Sequence, residues 1–178
     1  MGISISIDAD LNGYAIRECG SNLQLSTYWL VVTRNYRDYE DSLFQQLQDL
    51  LKINLKPFSY HLMYSEIAEM EEDDDFDNDK AHAEEINYRK EQKVYIKKCM
   101  QNPEKVLKIA ERFQKKIIHN PDFIKSIDWE FVIEKDDKDV YLDYLTGDQF
   151  RLDIANIMES LQCYCDNGVG KVFFRIST

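Results

Sequence analysis

Between Glu66 and Asp79 the chain carries carboxylates at Glu66, Glu69, Glu71, Glu72, Asp73, Asp74, Asp75, Asp77 and Asp79, and no basic residue. Like charges at that density repel and resist burial, so this stretch cannot be carried into a core. Phe76 alone breaks the end of the run with an apolar group. Residues 71–79 are therefore expected to be a solvated, mobile segment, and the fold must be built from what flanks it.

The charge of the flanks is unevenly shared. The 178 residues hold 33 acidic and 22 basic side chains, a net charge of −11. Residues 1–65 contribute −2, residues 66–79 contribute −9, residues 80–126 contribute +6 and residues 127–178 contribute −6. The length suits one domain. With 44% apolar residues, 11 Tyr and 9 Phe, a wholly disordered chain is excluded. No repeat and no Pro- or Ser-rich linker divides the sequence, so residues 1–178 are read as a single compact α+β domain.

Periodicity gives the elements. Ile3, Ile5 and Ile7 alternate with serines as a half-buried strand, and Tyr14, Ile16 and Glu18 suggest a second after the Asp10–Gly13 turn. Thr27 to Thr33 is β-branched and aromatic without a polar break, which predicts a third strand and an N-terminal β-meander. Leu43, Phe44, Leu47, Leu50 and Leu51 predict a helix that Pro57 ends. Phe58 to Met70 mixes both periods and is read as helix, through Met63, Ile67 and Met70. Beyond the acidic run, Ala81 to Gln101 reads as one long helix, and Asn102-Pro103 caps and restarts another. In that second helix Val106, Ala110, Phe113 and Ile117 form the buried stripe. Trp129, Phe131 and Ile133, then Val140, Leu142 and Tyr144, alternate around a polar turn and predict a β-hairpin. Phe150, Ile154, Ile157, Met158, Leu161, Tyr164 and Cys165 predict a helix that Asn167-Gly168 stops. Lys171 to Ile176 predicts a last strand, placed to pair with the first. The sum is a mixed or antiparallel sheet packed by central helices.

Targeting and cysteine usage point to the cytoplasm. The N-terminus lacks a basic leader and an unbroken apolar stretch, Gly2 with Ser6 is better used in a strand than as a lipidation site, and no window spans a bilayer. Cys19, Cys99, Cys163 and Cys165 contain no C-x-x-C pair and are expected to be reduced thiols. No membrane partner and no cofactor is expected.

The chemistry-bearing motifs are sparse. There is no G-x-S-x-G, Walker loop, dinucleotide fingerprint or H-E-x-x-H, and Gly168-Val169-Gly170-Lys171 precedes a strand where a phosphate loop needs a helix. His61, His82 and His119 are far apart in sequence. Carboxylate pairs such as Asp136 with Asp137 and Asp139 with Asp143 read as solvated surface in so acidic a chain. The protein is therefore expected to be no enzyme. In the calcium-loop register, Asp73, Asp75, Asp77 and Asp79 with Glu84 at the twelfth position give an alternative metal site. Against it, Lys80 stands at the eighth position, where an apolar residue normally pairs with a second hand.

Two charged surfaces remain. Lys90, Lys93 and Lys97, with Arg89 and Lys98 and the Lys105, Lys108, Arg112 and Lys115 stripe, make helices 89–116 an alternative nucleic-acid face, although the net charge argues against direct binding by the molecule as a whole. The acidic run is the leading candidate. In character, though over no definable stretch of sequence, the chain is similar to inhibitor proteins that shield basic, nucleic-acid-handling targets, such as bacterial toxin-immunity and phage anti-defence proteins. That resemblance implies a basic protein target, such as a toxin or nuclease, with clustered carboxylates occupying its phosphate groove. Glu71, Glu72, Asp73, Asp74, Asp75, Phe76, Asp77 and Asp79 are the expected contact, Phe76 serving as anchor. The acidic segment Glu130 to Asp143 is the second candidate surface.

Overall fold

The computed structural model describes residues 4–9, 19, 25, 29, 43–63, 83–131 and 138–177. Its elements in chain order are β1 (Ser4–Ala9), α1 (Leu43–Leu51), β2 (His61–Met63), α2 (Ala83–Cys99), α3 (Pro103–His119), α4 (Lys138–Thr146), α5 (Asp148–Asp166) and β3 (Val172–Ser177). Short 3-10 turns at Lys56–Ser59, Pro121–Ser126 and Trp129–Phe131 connect them.

The C-terminal strand β3 is the centre of the sheet. It runs antiparallel to β1, from Ser4 opposite Ser177 to Ala9 opposite Val172, and parallel to β2, with His61 opposite Phe174. Alternation along β3 sends consecutive residues to opposite faces. Phe174 enters the main core with Ile5, Ile7 and the inward faces of α1, α3 and α5. Phe173 enters a second, smaller core with Ile96 and Cys99 of α2. Helices thus cover both faces, which explains why Val172, Phe173 and Phe174 are buried without a break. The α+β architecture and the pairing of the first and last strands agree with the sequence.

The main core is aromatic. Trp29, Phe58, Phe113, Tyr144, Phe150 and Phe174 stand ring to ring at centroid distances of 5.3 to 6.3 Å, mostly edge to face. Asn102 caps α3 by accepting from the Lys105 amide at 3.0 Å. Gln101 exchanges both backbone hydrogen bonds with Val172 at 2.8 Å, tying the α2–α3 junction to the start of β3.

The structure differs from the sequence reading at several points. The expected hairpin is a 3-10 turn at Trp129–Phe131 followed by helix α4. Val140, Leu142 and Tyr144 do alternate, yet the residues that α4 buries are Tyr141, Tyr144 and Leu145, at helical spacing. Packing of that face decided between the two periods, against the strand propensity of the residues. In the Phe58–Met70 stretch, Pro57 starts a short 3-10 turn and His61–Met63 forms a strand; residues 64–70 lie outside the described residues. Of the meander, β1 is present, residues 14–18 lie outside the described residues, and Trp29 is helical where a strand is expected. Finally, the cysteines are not all free: Cys19 and Cys163 form a disulfide with Cα atoms 5.5 Å apart, leaving Cys99 and Cys165 as thiols.

Candidate functional site

The expected contact, Glu71, Glu72, Asp73, Asp74, Asp75, Phe76, Asp77 and Asp79, lies outside the described residues, as do His82 and the aspartates of the calcium register. Glu84 is in the first turn of α2. Among the described residues no group of three or more His, Cys, Asp or Glu could hold a metal ion, and no helix is long and apolar enough to cross a membrane.

The basic helices form two separate surfaces. On α3, burial of Val106, Ala110, Phe113 and Ile117 turns Lys105, Lys108, Arg112, Lys115 and Lys116 outward. On α2, Ile96 and Cys99 face the sheet, and Lys90, Lys93, Lys97 and Lys98 are exposed.

Beside α2 lies a groove of about 530 Å³, lined by Ser59, Tyr60, Lys90, Glu91, Val94, Tyr95 and Lys98. One wall is α2; the other is the chain from the Lys56–Ser59 turn into β2. Hydrogen bonds hold the walls together. The Tyr95 hydroxyl donates to the His61 carbonyl at 3.0 Å, and the Gln101 side-chain amide donates to the Pro57 carbonyl at 2.7 Å. Tyr60 and Tyr95 meet edge to face at 6.5 Å. Lys90, Val94 and Lys98 follow at four-residue steps, so they share one face of the helix. Val94 is 53% exposed in the middle of that face.

The acidic counterpart is on α4 and α5. Asp139 and Asp143 are one turn apart and exposed, and Asp148 is exposed in the first turn of α5. Exposed apolar side chains accompany them: Val140 at 39% and Leu152 at 52%. Gly147 makes the tight junction, since a Cβ there would sit 2.7 Å from the Asp143 carbonyl oxygen. Of the second candidate segment, Glu130 to Asp143, Glu130 lies in a 3-10 turn and Asp139 and Asp143 on α4, while residues 132–137 lie outside the described residues.

The remaining polar groups in the interior support the fold. Asp153, fully buried, accepts from the Tyr144 hydroxyl at 2.6 Å and the Gln149 amide at 2.9 Å. Burial, and then the hydrogen bond to Asp153 and its charge, push the Tyr144 hydroxyl far above its ordinary pKa. The Tyr164 hydroxyl donates to the Ile7 carbonyl at 2.6 Å and is likewise raised, chiefly by burial. Asp8 pairs with Arg175 at 2.9 Å, yet desolvation outweighs that attraction and raises its carboxyl. Burial also raises the Cys165 thiol, with Glu104 and Asp166 adding to it, which disfavours the thiolate a nucleophile needs. His61 is 8% exposed with its ring against Phe174, and His119 is a surface residue with Nδ1 2.6 Å from the Lys115 carbonyl.

Reading the sequence located Lys90 and Lys98; Ser59, Tyr60, Glu91 and Val94 join them only through the packing of α2 on the 56–63 segment. No family model matches the chain, and no curated protein or solved structure is significantly similar to it.

Proposed function

We propose that the protein is a non-enzymatic interaction protein that binds a basic protein target and blocks a nucleic-acid-handling activity, in the manner of a toxin-immunity or anti-defence protein. The observation that carries this reading is the acid-bearing helix pair. Asp139, Asp143 and Asp148 stand exposed on helices whose other faces are anchored by Tyr144, Leu145, Phe150 and Ile154 in the main core. Charges on such a rigid support keep their spacing, so association costs little ordering entropy. Carboxylates steer a cationic partner, and apolar neighbours such as Val140 and Leu152 contribute the desolvated contact. The carboxylates of residues 71–79, with Phe76 as anchor, are the other contact in this reading.

A cytoplasmic location follows from that class of target. The Cys19–Cys163 bond takes away the free-thiol argument for it, because disulfides are uncommon in the reducing cytosol.

The test is capture of a basic partner from native lysate, its identification, and measurement of its association rate against ionic strength. Asp139→Asn with Asp143→Asn, and separately the amide replacements of residues 71–79, should each slow association at least about tenfold at low salt. A captured partner that is indifferent to both sets, or the absence of any basic partner, overturns the reading. The calcium alternative is favoured by nothing among the described residues. The nucleic-acid alternative is favoured by the groove on α2.

A further inference from the structure

We propose that the groove between α2 and the Ser59–Tyr60 segment is a binding site for single-stranded nucleic acid. Three properties of the groove point to this ligand class.

The first is the arrangement of charge. Lys90 and Lys98 stand at the two ends of one helical face, about 12 Å apart at the rise of an α-helix. Val94 lies between them. A single phosphate or a mononucleotide satisfies one of these cations and leaves the other untouched. A polymeric anion crossing the groove reaches both.

The second is what lies between the cations. Val94, 53% exposed, stands between the lysines, and the rings of Tyr60 and Tyr95 line the groove beside it. Bases stack on such surface while phosphates meet flanking lysines, which is how single strands are held without sequence preference. The Tyr95 ring is braced by its hydroxyl bond to the His61 carbonyl, so the aromatic wall is set before a ligand arrives.

The third is access and size. Among the described residues nothing closes the groove, and its volume of about 530 Å³ lies within the range that takes a small ligand. A base with its sugar fits, and the chain on either side runs out over Lys90 and Lys98. Glu91 is the one carboxylate among the described lining residues. It opposes any anion and gives the site a sign that can be tested.

The site stands apart from the α4–α5 part of the proposed protein-binding surface. The α2 helix covers the face of the sheet that carries Phe173, whereas α5 packs on the face that carries Phe174. Amide replacement of Asp139 and Asp143 should therefore leave binding in the groove intact.

The experiment is fluorescence anisotropy of the full chain with a labelled oligothymidylate of about ten nucleotides, a length suited to one such groove. Wild type should bind saturably at low salt. Lys90→Gln with Lys98→Gln should weaken binding at least about tenfold and flatten the dependence on salt by roughly two phosphate contacts. Val94→Asp, at an exposed position, should abolish binding while the thermal midpoint stays unchanged. Glu91→Gln should tighten binding a few-fold. Lys115→Gln with Lys116→Gln on α3 should change it little. Binding that is absent in wild type overturns the proposal. So does binding that the α3 pair weakens as much as the α2 pair, or that Val94→Asp leaves intact. Competition by a mononucleotide as effective, per phosphate, as the strand also overturns it.

Discussion

Tyr144 shows how one hydroxyl is fixed by its surroundings. Its ring stands edge to face with Phe150 at 5.3 Å, and its oxygen donates at 2.6 Å to the fully buried Asp153. A buried carboxylate is tolerated only when donors meet it, and removing one leaves part of its desolvation cost uncompensated. Tyr144→Phe keeps the ring and removes the donor, so it should cost about 1–3 kcal/mol at pH 7, read as a lower urea midpoint. The pH dependence has a definite sign. Tyr144 holds its proton in the folded state well above the ordinary value of 10.0, whereas in the unfolded chain it ionises near that value. Its contribution is therefore complete below pH 10 and is lost as pH rises beyond it. The variant lacks this loss, so the gap between the two proteins should narrow between pH 9 and pH 11, about the ordinary tyrosine value. A gap that widens over that interval would mean the hydroxyl ionises more readily folded than unfolded.

At the scale of elements, what was legible in the sequence divides along one line. Helices α1, α3 and α5 were legible because each has a clear apolar stripe, and α3 also has the Asn102-Pro103 start. Strands β1 and β3 were legible by alternation or continuous apolar character. Helix α4 was not, since nine residues rich in Tyr, Val and Leu satisfy both periods and only contact with α5 chose between them. The groove was half legible: α2 supplied its cations, but Tyr60 comes from a segment whose own period was ambiguous. The disulfide was not legible, because Cys19 and Cys163 are 144 residues apart and only the fold brings them together. That separation gives the bond its expected consequence. Ser160 also reaches across, donating to the Cys19 carbonyl at 2.9 Å, so α5 holds this residue by two links. Cutting the covalent link with Cys163→Ser should lower stability by about 2–5 kcal/mol, because a long loop in the unfolded chain is released. Thiol alkylation of the denatured protein should count two free cysteines before reduction, Cys99 and Cys165, and all four after it. Four before reduction would remove the link from the fold.

For the whole molecule, the relevant quantity is how its net charge of −11 is distributed. Uniform acidity would give simple self-repulsion, relieved by salt. Here a −9 segment at residues 66–79 precedes a +6 stretch at residues 80–126, and the two can act in opposite senses. If the carboxylates were neutralised internally by α2 and α3, added salt would screen an attraction and destabilise the fold. The lysines of these helices point outward, at Lys90 and Lys98 into the groove and at Lys105, Lys108 and Lys115 from α3. The proposed functions need both sets available to partners, the acids for a basic protein and the α2 lysines for a single strand. Self-repulsion should then dominate, and raising sodium chloride from about 10 to 150 mM, which shortens the screening length to about 8 Å, should stabilise the protein. The expected gain is a few tenths to about 1 kcal/mol, the scale of exposed charge interactions. Urea midpoints at the two ionic strengths measure it. Amide replacement of the 71–79 carboxylates should abolish the gain and raise stability at low salt. A midpoint that falls with salt in the wild type, and ceases to fall in the replaced protein, would place the carboxylates on the chain's own lysines and remove them from any partner.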